Sequence, residues 1–422
     1  MLLLKDIRRD PQQVKAALAR RGYAPVSRVD EIMEMDARRR RLQQQRDELL
    51  NQSKKMAAEV GRLFKQGERE AADKARAEAA ALKESVKTVE QQLAEVEAAL
   101  DTLLLDLPNI PHPSVPDGQG EADNVVVRTH EAPVRASAPV PHWEVAQALG
   151  IIDFERGAKI TGAGFPLYRK GGARLQRALI NFFLSEAIAA GFEEVWPPYL
   201  VNEASARGTG QLPDKDDQMY YVCKDNLYLI PTAEVPVTNI YRNEILPGER
   251  LPYKLTAYSP CFRREAGSYG QEVRGLNRVH QFDKVEIVVI SRPEQSYEIL
   301  EEMTAHGERL LQQLGLPYRV VSLCAGDLGT ASAKTYDLEV FAAGQQRWLE
   351  VSSVSNFETF QSARLKLRYR DDAGRPQLVH TLNGSALALP RIVAALLENN
   401  FNGEKVLLPE VLHPFYGQPF LQ

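Results

Sequence analysis

Cysteine is scarce: Cys223, Cys261 and Cys324 are the only three in 422 residues, and they lie far apart. That spacing argues against a disulfide framework. The seven histidines do not cluster with them, which argues against zinc at the usual ligand spacing, so no zinc is expected. A reducing compartment is the simplest inference. Long apolar runs are missing as well. No stretch approaches the roughly 20 residues needed to span a bilayer. The apolar start MLLL meets charge at Lys5, too early for a secretory signal. Nor is there a large excess of one charge sign, since 52 Lys and Arg stand against 56 Asp and Glu, a formal −4. A polyanion partner would therefore need a local basic surface. These absences lead us to expect a cytoplasmic protein without a membrane segment, and at this length two domains.

What is present in the first third is a seven-residue repeat. Leu42, Leu49, Met56 and Leu63 form one series; Leu82, Val89, Val96 and Leu103, interleaved with Val86, Leu93, Leu100 and Leu107, form another. The second series is an unbroken coiled-coil seam. Gly67 can break the helix between them, so the spacing predicts an antiparallel two-helix hairpin over residues 28–107, with arms about 50 Å long. Its first helix carries Arg38 to Arg41, Arg46, Lys54, Lys55, Arg62 and Lys65, whereas the second is largely acidic. Two readings stay open here: charges that merely solvate a coiled coil, or a basic stripe aimed at a polyanion.

After Leu107 the composition turns to DLPNIPHPSVPDGQGEADN, where helix stops and a semi-rigid connector begins. The expected domains are 1–110 and 111–422. The second is expected to be α+β, a mainly antiparallel β-sheet flanked by helices. Residues 173–191 read as an amphipathic helix stopped by Gly191, and the prolines of EEVWPPYLV belong on a sheet edge or at an interface.

The stretch FRREAGSYGQEVRGLNRVHQFDKVE (262–286) poses the chemical question. Period-two geometry puts Arg263 and Glu265 on one face of a first strand, and Phe282, Lys284 and Glu286 on one face of a second. Val285, Ile287 and Val289 then face a core. Buried charge needs a partner. A guanidinium that forks onto phosphate, beside an aromatic ring that can stack on a base, suits a nucleotide.

These residues resemble motif 2 of class II aminoacyl-tRNA synthetases. GFEEVWPPYLV (191–201) is similar to motif 1, with Pro198 at its dimer-interface position, and NGSALALPR to motif 3, with Arg391 as its arginine. Within that class the resemblance is to the seryl-tRNA synthetase family of bacterial type. It is carried by GTGQLP (208–213), PTAE (231–234), FRREAGSYG, HQFDKVE, YDLEV (336–340), EVSSVSNF (350–357) and NGSALA, together with the hairpin. Seven ordered matches are specific where TAE or NGS alone is not. Motif 2 then spans about 258–290 and motif 3 about 383–398. Departures are Val354 where cysteine is frequent, Ala363–Arg364 where an arginine pair is, and Pro390 where glycine precedes the motif 3 arginine.

The resemblance implies an ATP-dependent ligase that converts L-serine to seryl-adenylate and then transfers it to tRNA(Ser), with tRNA(Sec) as a further acceptor. It implies catalytic roles for Arg263 and Glu265. Serine binding falls to Thr232, Ala233 (through its backbone), Glu234, Arg263, Glu286 and Ser385. ATP binding falls to Arg263, Arg264, Glu265, Val279, Phe282, Glu350, Val351, Ser352, Ser353 and Arg391. Glu350 and Ser353 would hold Mg2+ on the ATP phosphates. Simple alternation pairs Glu350 with Ser352, so the use of Ser353 requires a bulge or a strand end. Local sequence alone reads Thr232 and Glu234 as a helix cap and first-turn acid. The resemblance further implies a homodimer and a tRNA-binding arm. An inert coiled-coil adaptor, or a ligase charging a carrier protein, are the rival readings; the retained Arg263, Glu265, Glu286, Glu350 and Arg391 oppose the first, and the basic-faced arm opposes the second.

Overall fold

A computed structural model describes residues 1–136, 138–214, 217–266 and 274–422. Contacts divide the chain into two units, one of Leu2–Ala19 with Tyr23–Pro108, the other of Asn109–Gln422 with Met1 and Arg20–Gly22.

In the first unit two short helices, α1 (Leu4–Arg9) and α2 (Pro11–Arg20), precede the long α3 (Arg28–Gln66) and α4 (Arg69–Asp106). Gly67, at φ +80°, ends α3, its amide turning back onto the carbonyls of Leu63 and Phe64. The pair is antiparallel: Leu42 packs with Val89, Leu93 and Val96, while Leu63 packs with Ala72 and Ala75 near the turn. The arginine run is only partly free. Asp36, fully buried, takes Arg8, Arg39 and Arg40. The outward cations are Arg38, Arg41, Lys54, Lys55, Arg62 and Lys65.

The second unit is built on an eight-stranded sheet. Its strands are β1 (Val125–His130), β2 (Glu193–Glu194), β3 (Tyr253–Phe262), β4 (Gln281–Ser291), β5 (Tyr318–Ser322), β6 (Lys334–Ala342), β7 (Arg347–Asn356) and β8 (His380–Ala388). Their spatial order is β1-β5-β6-β7-β8-β4-β3-β2. Neighbours pair antiparallel except for β2 with β3, which run parallel at the edge just before Pro197 and Pro198. Five helices matter for the site: α5 (His142–Leu149), α6 (Lys170–Ala189), α7 (Glu234–Thr238), α8 (Ser296–Gln313) and α9 (Leu389–Asn400). One sheet face buries Val285, Ile287, Val289, Leu338 and Val351 against Leu179, Phe182 and Phe183 of α6, Leu300 and Met303 of α8, and Ile392 and Leu396 of α9. Strand alternation then forces the charged residues of β4 onto the opposite face.

The segment after Leu107 departs from a connector. Asn109 donates to the carbonyls of Ala331 and Phe357, and the amides of Asn109 and His112 pair with Thr330 and Ala333. Proline excludes helix here, but the chain is pinned along the second unit. Among the described residues no helix is long and apolar enough to cross a membrane.

Candidate active site

On the free face of β4, Lys284 and Glu286 are both buried and 2.5 Å apart. A closed set of donors surrounds them. The Lys284 ammonium donates to Thr232 Oγ1 (2.8 Å), and the Thr232 hydroxyl donates to Glu286 Oε2 (3.1 Å). Asn383 Nδ2 bridges the two carboxylates, 2.9 Å from Glu234 Oε2 and 3.0 Å from Glu286 Oε1. Gln361 Nε2 donates to the other Glu234 oxygen at 2.6 Å and is itself oriented by Thr381. The two carboxylates meet one ammonium within the hydrogen-bonded set, and Arg263 is the other cation close enough to act on Glu234. Burial, and then the charge of Glu286, pushes the Glu234 carboxyl from 4.5 up to about 7. Such a pocket favours a ligand that brings an ammonium and hydrogen-bonding groups.

The cap reading of Thr232 is met only in part: the cap position of α7 is the buried Ala233, without a side-chain cap, and Thr232, one residue earlier, accepts the Glu234 amide on Oγ1 at 3.2 Å. Ser385 stands opposite Glu286 in the β4–β8 register. Of the residues that complete this pocket, sequence reasoning gave no role to Lys284, Gln361 or Asn383. Lys284 has the parity of Phe282 and Glu286, and Asn383 opens the NGS motif, so both left a signal; Gln361 left none.

Arg263 and Glu265 do not lie on a strand face. β3 ends at Phe262: the Arg263 amide makes one last bond to the facing chain at His280 O, and the Arg264 amide turns away to Gln218 O. Glu265 adopts φ +48° and pairs with Arg278 at 3.2 Å. Arg263 still reaches the site: its guanidinium lies 5.2 Å from the Phe282 ring centroid, and its Nε donates to Pro231 O beside Thr232. Arg264 points to Asp217 at 3.0 Å instead. Val279 is buried. Residues 267–273, within the motif 2 match, lie outside the described residues. Arg391 donates to the carbonyls of Asn277 (2.9 Å) and Glu350 (2.7 Å) and lies 3.6 Å from the Glu350 carboxylate.

The Glu350–Ser353 spacing is resolved by a bulge in β7. Glu339 pairs with Glu350, but Leu338 pairs with Ser352 and Asp337 with Ser353. Val351 is the extra residue, and its insertion brings Glu350 and Ser353 to one face, opposite Glu339 and Asp337. Val351 and Ser352 consequently turn to the other side: Val351 enters the core and the Ser352 hydroxyl donates to Ser385 O. Asp337, which sequence reasoning passed over, is half-buried. Burial first, and then Glu350, raise its carboxyl well above the usual range, while a hydrogen bond with Ser353 opposes this. Its Oδ1 has no hydrogen-bond partner. An orphaned carboxylate oxygen beside a second carboxylate and a hydroxyl is a hard-oxygen set that fits Mg2+. Among the described residues no three His, Cys, Asp or Glu side chains converge to hold a metal by themselves, so phosphate oxygens would complete the shell.

Residues 1–111 match the seryl-tRNA synthetase N-terminal domain, and residues 220–400 match the class II tRNA synthetase core domain (G, H, P, S and T). The chain is 50% identical to a serine–tRNA ligase of Salinibacter ruber, over 99% of this chain and 98% of that one. The seryl-tRNA synthetase of Pyrococcus horikoshii, solved in complex with ATP, superposes with a TM-score of 0.93 at 38% identity, covering 100% of this chain and 99% of that one. A cytoplasmic serine–tRNA ligase of Naegleria fowleri, solved with AMP, gives 0.86 at 26% identity over 98% and 96%.

Proposed function

The chain belongs to the seryl-tRNA synthetase family, and from that premise we propose that it activates L-serine with ATP and passes the seryl group to tRNA(Ser). The observation that carries this reading is the pocket of Thr232, Glu234, Lys284, Glu286 and Asn383, two buried carboxylates with hydrogen-bonding groups between them, beside an arginine. The ammonium of serine meets the buried carboxylates of Glu234 and Glu286. Its hydroxyl needs the donors and acceptors that Thr232, Glu286 and Ser385 offer, and sites that hydrogen-bond a hydroxyl reject analogues lacking it.

In the first step a serine carboxylate oxygen attacks the α-phosphorus of ATP, forming seryl-adenylate and releasing pyrophosphate. Arg263, next to the Thr232 loop and Phe282, bridges the two anions and stabilises the charge that grows between them. Phe282 and Arg391 take the two faces of adenine, with Glu265 and Val279 at its edge and Arg264 in the same run. The ATP and AMP bound by the two solved relatives support a nucleotide site here. Glu350 and Ser353, with Asp337 behind them, would hold Mg2+, which when bound neutralises phosphate charge. In the second step a terminal ribose hydroxyl of the tRNA attacks the seryl carbonyl, and AMP leaves. Serylation of tRNA(Sec) rests on the family resemblance alone.

A homodimer through the edge around Pro197 and Pro198 is part of the same proposal, supported by Trp196, 70% exposed beside them. Cytoplasmic residence is also proposed, on three free cysteines. The α3–α4 hairpin serves as the tRNA arm, its outward cations meeting phosphate, so binding weakens with salt. Replacing residues 31–104 with a short glycine linker tests the division of labour. Serine-dependent ATP–pyrophosphate exchange should persist while tRNA serylation collapses. Full-rate charging by the folded, truncated chain would make the arm merely structural.

A further inference from the structure

Glu398 is fully buried on α9 and plays no part in the chemistry described above. Four N–H groups nevertheless converge on its carboxylate: the His142 amide (3.0 Å) and Nδ1 (2.8 Å), and the Gln345 amide (3.0 Å) and Nε2 (2.7 Å). With Nδ1–H given to Glu398, His142 Nε2 is an acceptor, and it takes the Leu276 amide at 2.8 Å. Leu276 lies in the return limb of the motif 2 loop. The residues around it are clamped too. Gly275 has φ +67° and sits so close to the imidazole that an added Cβ would lie 2.2 Å from Nε2. The Arg274 guanidinium stacks 4.6 Å from the Trp143 ring centroid, and Asn277 Nδ2 donates to Gln345 Oε1 at 2.7 Å. The chain of contacts ends in the nucleotide half of the site, because the Asn277 carbonyl accepts Arg391 Nε at 2.9 Å.

We propose that His142 and Gln345, locked in place by Glu398, are positioning residues for ATP: they fix residues 274–277 so that the Asn277 carbonyl aims Arg391 at the base. The inference rests on the reading of Arg391 as the adenine-side arginine. Its physical content is preorganisation, since a guanidinium held by a fixed carbonyl loses less freedom when the nucleotide arrives. The serine pocket does not share this chain of hydrogen bonds, so the two substrates should respond differently.

Two substitutions of one residue separate positioning from packing. His142→Gln carries an acceptor at the Nε2 position and keeps the Leu276 bond. His142→Asn keeps the donor to Glu398 and loses the acceptor. In pyrophosphate exchange, His142→Asn should raise KM for ATP by about tenfold or more and leave KM for serine unchanged, while His142→Gln stays within about twofold of the parent. If both variants behave alike, or the two KM values move together, the positioning role is wrong. Should both histidine variants fail to fold, Gln345→Ala carries the test. It should raise KM for ATP, and combining it with Arg391→Ala should add less than the product of the single effects; full multiplicativity overturns the proposal. Arg391→Ala alone guards the premise. If it leaves KM for ATP unchanged, the nucleotide reading itself falls, and the inference with it. If it raises KM for ATP and His142→Asn does not, only the inference falls.

Discussion

Glu234→Gln should make the ligand-free protein more stable at alkaline pH and ruin its use of serine. Burial and the neighbouring Glu286 raise the Glu234 carboxyl from 4.5 to about 7 in the folded chain. The sign follows from that direction: as pH rises from 4.5 to 7 the unfolded chain gives up this proton while the folded chain keeps it, so stability falls through that window. Above 7 both forms are ionised and the deficit is constant. A shift of 2.5 units at 1.36 kcal/mol each makes the full deficit about 3 kcal/mol. Glutamine removes the titration. It also turns an amide toward either Gln361 or Asn383, both donors, which costs about 1 kcal/mol. The stability difference between variant and parent should therefore grow by about 2 to 3 kcal/mol in favour of the variant between pH 5 and pH 8, read by urea denaturation. In the parent, serine should bind more tightly as pH rises toward 7, because its ammonium wants the ionised carboxylate. A stability difference that stays flat between pH 5 and pH 8 would refute the reasoning, for Glu234 would then ionise normally.

Other outcomes follow from the same site. Arg263→Ala should cut serine-dependent pyrophosphate exchange by about a hundredfold or more, the loss typical of one preorganised donor; near-normal exchange in a folded variant removes its bridging role. Glu286→Gln should raise KM for serine strongly with little change for ATP, and the reverse pattern would mean that β4 presents its other face to the amino acid. The motif 1 edge should hold two copies together, so sedimentation at micromolar concentration should report a dimer, and a monomer mass counts against that interface.

The limits of sequence reading here are local and physical. The β4 face was legible because an uninterrupted strand obeys period two, and HQFDKVE sorts directly into Phe282, Lys284 and Glu286 on one side and Val285 on the other. β7 was legible only through the resemblance, whose use of Ser353 required a bulge or a strand end; nothing in EVSSV itself marks the extra residue at Val351 that reverses the parity. Alternation puts Arg263 and Glu265 on a strand because it cannot reveal where the strand stops. That end is set by the Gln218 carbonyl, far away in sequence. Gln361 and Asp337 complete the site through tertiary contacts alone. The arm's heptads gave the two helices, but the buried Asp36 that draws in Arg8, Arg39 and Arg40 needs α1 in place, and so the basic run looked freer than it is.

The most direct test of the central claim is ATP–pyrophosphate exchange with serine, threonine, alanine and glycine offered in turn to the full chain. A pocket built around an ammonium and a hydroxyl should give rapid exchange with serine. Alanine and glycine, which leave Thr232 and Glu286 without a hydroxyl partner, should be disfavoured by several orders of magnitude. Threonine must fit an added methyl group beside Ser385 and should also lag. Exchange that is equal across the panel, or absent with serine, would contradict the account.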